Sequence, residues 1–209
     1  MDNFRFRIIR DESPENPREY ATATLACWHR RYSLGDIQPS LDPAAFQYTE
    51  GADPTEFPSF DEATDEQIAQ GIKAFHTKYH VFPLYMYDHS GIALSTTPFS
   101  CPWDSGQLGI AYLPKDGFTE DEARQVIGAE LECYAHYLNG DGYGFEAEAL
   151  NTNTGEWENF DSCFGFIGPF ETSGLMDYIP QAAQVDVAKY ISESPAFDGN
   201  WYYSRIDAQ

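Results

Sequence analysis

Thr119-Glu-Asp-Glu-Ala-Arg-Gln-Val-Ile-Gly-Ala-Glu-Leu-Glu-Cys-Tyr-Ala-His-Tyr-Leu-Asn-Gly-Asp-Gly-Tyr-Gly144 holds a long helix, its stop and the opening of a strand. Ala123, Val126, Ile127, Leu131, Tyr134 and Leu138 recur at helical spacing and form one apolar stripe. Thr119 and Glu122 have the spacing of a capping box, and Asn139-Gly140 suits a left-handed helix stop. The spacing predicts a helix from about Glu120 to Leu138. Beyond it, Tyr143–Leu150 and Phe160–Gly168 read as two strands joined by the polar turn Asn151-Thr-Asn-Thr-Gly155.

The same pattern extends toward the N-terminus. Phe4, Phe6 and Ile8 alternate with Arg5 and Arg7, as in a half-buried strand whose other face is basic. Thr22–Trp28 is rich in strand-forming residues and exits through a Gly35-Asp36 turn. Gln38 to Phe60 carries four prolines and reads as a long loop or ordered excursion. A helix capped by Asp61 or Thr64 is expected next, with Ile68, Ile72, Phe75 and Tyr79 at helical spacing. Pro83–Tyr87, Ile92–Thr97 and Leu108–Leu113 are further strands, the first two joined by Asp88-His-Ser-Gly91. A last helix is expected over about Pro180–Ile191, before an aromatic tail with Trp201, Tyr202 and Tyr203. Strands that neighbour each other in sequence predict an α+β fold: an antiparallel sheet with two to three helices packed on one face. The expected organisation is a single domain over residues 1–209, with an excursion at about 38–60 and a C-terminal helix plus aromatic tail at 170–209.

A hydrophobic content of 42% with 16% aromatics is too rich for an acidic disordered segment and supplies a core. The formal net charge is −22, and beyond Arg31 the chain has 29 acids against six Lys or Arg. Such a surface repels nucleic acid and anionic membrane, and attracts basic surfaces such as the groove of a nucleic-acid-binding protein. Candidate partner-binding acids are Asp53, Glu56, Asp61, Glu62, Asp65 and Glu66 before the first long helix, and Glu120, Asp121 and Glu122 at the start of the second. The acids of the second helix follow no single stripe, so a DNA-like track would have to be assembled from several elements. The chain start lacks an apolar core typical of a secretory signal, and no apolar run reaches the ~20 residues that span a bilayer. Four widely spaced cysteines read as reduced thiols in a cytosolic setting.

Several constellations could carry chemistry. His76 and His80, four apart on the expected helix with Asp88 or His89 nearby, have the spacing of metal ligands. Thr77 stands where a zinc-protease motif needs Glu, however, and no metal or other cofactor is expected. Asp88, His89, Cys101 and Asp104 have the residue types of a Cys–His–Asp hydrolase. Against this, Pro102 removes a backbone N–H often used to hold an oxyanion. The bland alternative for Ser100–Gln107 is a tight structural turn with Trp103 plugging the core and Asp104 binding backbone amides. Asn139–Gly144 lacks the Lys-Ser/Thr of a phosphate loop, and Tyr143 stands where a calcium loop needs an oxygen ligand. Trp28, His29, Arg30, Arg31 and Tyr32 form a basic–aromatic cluster suited to a nucleobase or phosphate. Its alternative is internal pairing of the two arginines with carboxylates.

The motifs Asp11-x-x-Pro-x-x-Pro-Arg18, Cys27-Trp-His-Arg-Arg-Tyr-x-Leu-Gly-Asp36, Pro83-Leu-Tyr-x-Tyr-Asp-His-Ser-Gly91 and Thr96-Thr-x-Phe-Ser-Cys-Pro-Trp-Asp-Ser-Gly-Gln107 resemble those of uncharacterised accessory proteins of phages and conjugative mobile elements. So do Tyr134-x-x-Tyr-Leu-x-Gly140, Tyr143-Gly-Phe145 and Asp161-Ser-Cys-x-Gly-Phe-x-Gly168, and the resemblance covers roughly residues 10–170. It implies a bacterial host cytoplasm during infection or element transfer, and no catalytic residues. Two functions are therefore expected. The first is an acidic anti-defence protein binding the nucleic-acid surface of a host restriction or CRISPR nuclease, by contact with a basic protein complex and not with nucleic acid or membrane. The alternative is a binder of a nucleotide signal, or a Cys/His hydrolase acting in counter-defence, using Trp28, His29, Arg30, Arg31, Asp88, His89, Cys101, Trp103 and Asp104. Convergence of His29, Arg30, His89, Cys101 and Asp104 would distinguish it.

Overall fold

The computed structural model describes residues 3–179, 199 and 201–204. The elements run β1 (Phe4–Arg10), β2 (Thr24–Cys27), α1 (Pro43–Gly51), α2 (Asp65–Lys78), β3 (Tyr79–Asp88), β4 (Ile92–Ser95), β5 (Ser105–Pro114), α3 (Glu120–Leu138), β6 (Gly142–Leu150), β7 (Trp157–Ile167), α4 (Leu175–Tyr178) and β8 (Tyr202–Ser204). The fold is α+β, with these strands divided between two four-stranded antiparallel sheets. The chain forms two compact units, one from Met1–Asn16 with His136–Gln209, the other from Pro17–Ala135. The helix expected at Pro180–Ile191 lies outside the described residues.

In the first unit the strand order is β7-β6-β1-β8. Phe4, Phe6 and Ile8 are buried with Phe145, Ala147 and Phe166, and Phe170, Leu175 and Ile179 join this cluster from the segment after β7. The alternate residues of β1 face the other way. Arg5 lies opposite Glu148 and Arg7 opposite Glu146 in the β1–β6 register. Arg5 Nε donates to Glu148 Oε2 at 2.6 Å and Arg7 Nε to Glu146 Oε2 at 2.7 Å. The Arg5 guanidinium stacks on Trp157 and Trp201, 4.7 and 4.3 Å from their ring centres. The basic face expected of this strand is thus neutralised within its own sheet, and the aromatic tail contributes a strand to it.

The second unit has the order β2-β5-β3-β4. Ala26, Ile110 and Tyr112 form one face and pack with Phe46 of α1 and Phe75 of α2. Phe82 lies on the other face, where the Arg124 guanidinium of α3 sits 4.6 Å from its ring centre. α3 buries the predicted stripe at Ala123, Ile127, Leu131 and Tyr134. Helices therefore cover both faces of this sheet. The α3 capping box is formed: Thr119 N–H donates to Glu122 Oε2 at 2.8 Å and Glu122 N–H to Thr119 Oγ at 3.3 Å.

One expectation gains detail and another is corrected. The 38–60 excursion contains α1, whose cap Asp42 accepts from the Ala44 and Ala45 N–H groups, with Pro43 as the first helical residue. A proline there starts a helix because no intrahelical partner awaits its missing N–H. His76 and His80 do not share a helix. α2 ends at Lys78, Tyr79 is extended, and His80 belongs to β3. Another proline, Pro83, sits inside β3; β4 pairs only with Tyr85–Asp88, so among the described residues the strand's outer side is uncovered at Pro83.

Candidate functional site

β5 runs antiparallel to both β2 and β3, which brings the C-terminal ends of those strands beside its own N-terminal end. An open cleft of about 510 Å³ lies there. Trp28, His29, Arg30 and Arg31 line it from the segment after β2, Met86 and Asp88 from β3, and residues 103–108 from the approach to β5 and the start of that strand. The β3–β5 register shifts at Leu84/Tyr85, leaving Leu108 as an extra residue on β5. Such a bulge turns neighbouring side chains out of the regular pleat, a common device beside binding sites.

The segment from Trp28 to Asp36 has a locked stem. Arg18, with 4% of its side chain exposed, donates from Nε and Nη2 to Asp36 at 3.0 and 2.7 Å. Its Nη1 reaches Glu130 at 2.9 Å, and its Nη2 also donates to the Ala23 carbonyl. Burial alone lowers the Arg18 pKa, but the hydrogen bonds and charges of Asp36 and Glu130 more than offset it, and the net direction is upward. Asp36 Oδ2 also accepts from Leu25 N–H, and the Tyr134 hydroxyl accepts from Gly35 N–H. Gly35 has φ +71°, and a Cβ there would lie 2.7 Å from both Cys27 Sγ and the Leu25 carbonyl oxygen, so this corner requires glycine. Burial first, then the Asp36 charge, pushes the Cys27 thiol up to about 12.

Beyond the stem, His29 organises the tip. Its Nδ1 accepts from the N–H groups of Arg31 and Tyr32 at 3.3 and 3.1 Å, which assigns the neutral ring's proton to Nε2. Its ring stacks on Tyr32 at 4.9 Å with 7° between planes, and the Tyr32 hydroxyl donates to Asp88 Oδ2 at 3.1 Å. Trp28 anchors the tip's base by donating to the Leu41 carbonyl at 2.7 Å. Arg30 and Arg31 are exposed and have no side-chain hydrogen bond or ion pair among the described residues. Internal pairing, expected as the alternative for these two, belongs instead to Arg18.

The segment that leads into β5 corrects a second alternative. Trp103 is 91% exposed and plugs no core. Beside it, Asp104 Oδ2 lies 3.4 Å from His89 Nδ1 and 3.6 Å from Cys101 Sγ. The Asp104 carbonyl accepts from Asp88 N–H at 2.8 Å, tying this loop to the end of β3. His29, Arg30 and Asp104 thus line the same cleft, while His89 and Cys101 adjoin it through Asp104. The thiol and the imidazole both address the carboxylate. A hydrolase triad instead needs a base directly against its nucleophile. Met86, Ser105, Gly106, Gln107 and Leu108 complete the lining, and only the strand register places them there.

The nine candidate acids are all exposed. Several are engaged locally. Asp53 is held below the usual carboxylate range by the N–H and then the hydroxyl of Thr55, and Glu122 likewise by Thr119. Glu62 accepts from Ser59, Glu120 pairs with Arg124 at 3.3 Å, and Asp65 and Glu66 fill the first turn of α2. Asp65 and Glu66 belong to a helix on one face of the sheet, Glu120–Glu122 to the helix on the other. His76 Nε2 lies 2.8 Å from Gln47 Oε1 and His80 Nε2 2.9 Å from the Phe118 carbonyl, so the two engage separate partners. Among the described residues no His, Cys, Asp and Glu group is placed to hold a metal ion, and no helix is long and apolar enough to cross a membrane. No family model, curated protein or solved structure matches the chain.

Proposed function

We propose that the protein binds a small anionic, ring-bearing ligand of the nucleotide type in the cleft at the ends of β2, β3 and β5. The observation that carries this reading is the pair Arg30 and Arg31. In a chain of 34 acids and 12 Lys or Arg, these two line a concave site without a carboxylate partner among the described residues. Unpaired guanidiniums are suited to phosphate, and the adjacent aromatic surfaces of Trp103 and the His29–Tyr32 stack are suited to a base. In the phage or mobile-element setting that the motifs resemble, capture of a host nucleotide signal is the counter-defence role such a site would serve. Binding without catalysis fits the shared orientation of Cys101 and His89 toward Asp104. Isothermal titration calorimetry of the purified chain with ribonucleoside monophosphates at low salt tests the proposal. Micromolar to millimolar binding that weakens at least tenfold in Arg30→Ala/Arg31→Ala is expected; nucleotide binding unaffected by that double change refutes it.

A second reading rests on the charge. The nine exposed acids would meet a Lys/Arg-rich nucleic-acid channel of a host nuclease complex, giving fast, salt-sensitive association. It needs no cleft, and neutralising the acids separates it from the first reading.

A further inference from the structure

Resting on ligand binding in the cleft, we infer that the ligand's ring carries a 2-aminopyrimidin-4-one edge, the edge of guanine, and that Asp104 reads it. Asp104 lines the cleft with 37% of its side chain exposed. Its Oδ2 lies 3.4 Å from His89 Nδ1 and 3.6 Å from Cys101 Sγ, while no group among the described residues donates to Oδ1. A carboxylate only accepts, and its two oxygens match two parallel N–H donors. Guanine offers that pair in N1–H and the 2-amino group. Adenine and cytosine set a ring acceptor beside their amino group, against which a carboxylate oxygen is repelled, and uracil has one N–H between two carbonyls. The neighbouring Trp103 indole gives a stacking surface at the same wall. Arg30 and Arg31, which line the same cleft, supply the complement to an acidic group on the ligand.

Pterin carboxylates share this edge and an anionic group, so the chemistry has two sources. The experiment titrates the full chain with GMP, IMP, AMP, XMP and pterin-6-carboxylate. GMP is expected to bind at least tenfold more tightly than AMP, and IMP, which lacks the 2-amino group, to be weaker than GMP. Asp104→Asn replaces one acceptor by a donor, so it is expected to lose GMP affinity at least tenfold while gaining affinity for XMP, whose C2 carbonyl accepts. That gain cannot come from an unfolded variant. Tighter binding of pterin-6-carboxylate than GMP, lost in Asp104→Asn, supports the edge and assigns it to a pterin. AMP binding as tightly as GMP, still dependent on Arg30 and Arg31, overturns the edge assignment and leaves the cleft reading standing. Binding of none of the five overturns both.

Discussion

At Arg18 one guanidinium holds Asp36, Glu130 and the Ala23 carbonyl almost out of water. Removing it leaves two partly buried carboxylates without a cation. Arg18→Ala is therefore expected to cost about 3–5 kcal/mol in urea denaturation, the range for breaking a buried pair from one side; a loss below about 1 kcal/mol would contradict this. Glu122 gives a prediction in pH. Its folded carboxyl titrates below the ordinary 4.5 because Thr119 donates to the ionised form. Its stabilising contribution is thus fully present above about pH 4.5 and fades as pH falls through the folded value. Glu122→Gln keeps the cap geometry and loses the titration, so the fall in melting temperature between pH 6 and pH 3 should be smaller than in the parent by circular dichroism. An equal fall counts against it. The Thr119–Glu122 cap was legible because its partners are three residues apart. Arg18 was not, since Asp36 and Glu130 lie 18 and 112 residues away and no local pattern links them.

Among the elements, α3 ran over the predicted residues because stripe, cap and stop all agreed locally. α1 was hidden by prolines that read as loop, although Asp42-Pro43 is a helix start once the cap is seen. The division of strands into two sheets could not be read from one chain's periodicity, because pairings such as β1 with β6 join residues more than 130 positions apart. For the same reason the cleft was legible in its residue types and not in its geometry. Trp28–Arg31 and Asp88–Asp104 were visible as clusters, while the β5 bulge that brings Gln107 to the wall was not. The α1–α2 crossing also depends on a feature with no sequence signal of its own. A Cβ on Gly51 would lie 2.1 Å from the Gly71 carbonyl oxygen. Gly51→Ala is expected to destabilise the protein by about 1–3 kcal/mol through overpacking, measured by the denaturation midpoint. A midpoint unchanged or raised would show that the two helices can separate without loss.

For the whole molecule, a net charge of −22 sets up self-repulsion that dissolved salt relieves. If the acidic surface serves a basic partner, association with a host nuclease complex should weaken steeply between low and high salt. It should also be lost when Asp53, Glu56, Asp61, Glu62, Asp65, Glu66, Glu120, Asp121 and Glu122 are changed together to Asn or Gln, with GMP binding retained. Salt-independent association would remove the acids from that role. Charge also has a short-range counterpart in Pro83. A foreign strand approaching β3 outside the reach of β4 meets a residue with no N–H to offer, so the zipper that would join one molecule to the next has a missing tooth. Long-range repulsion opposes the approach of copies, and this one imino acid acts where repulsion has been overcome.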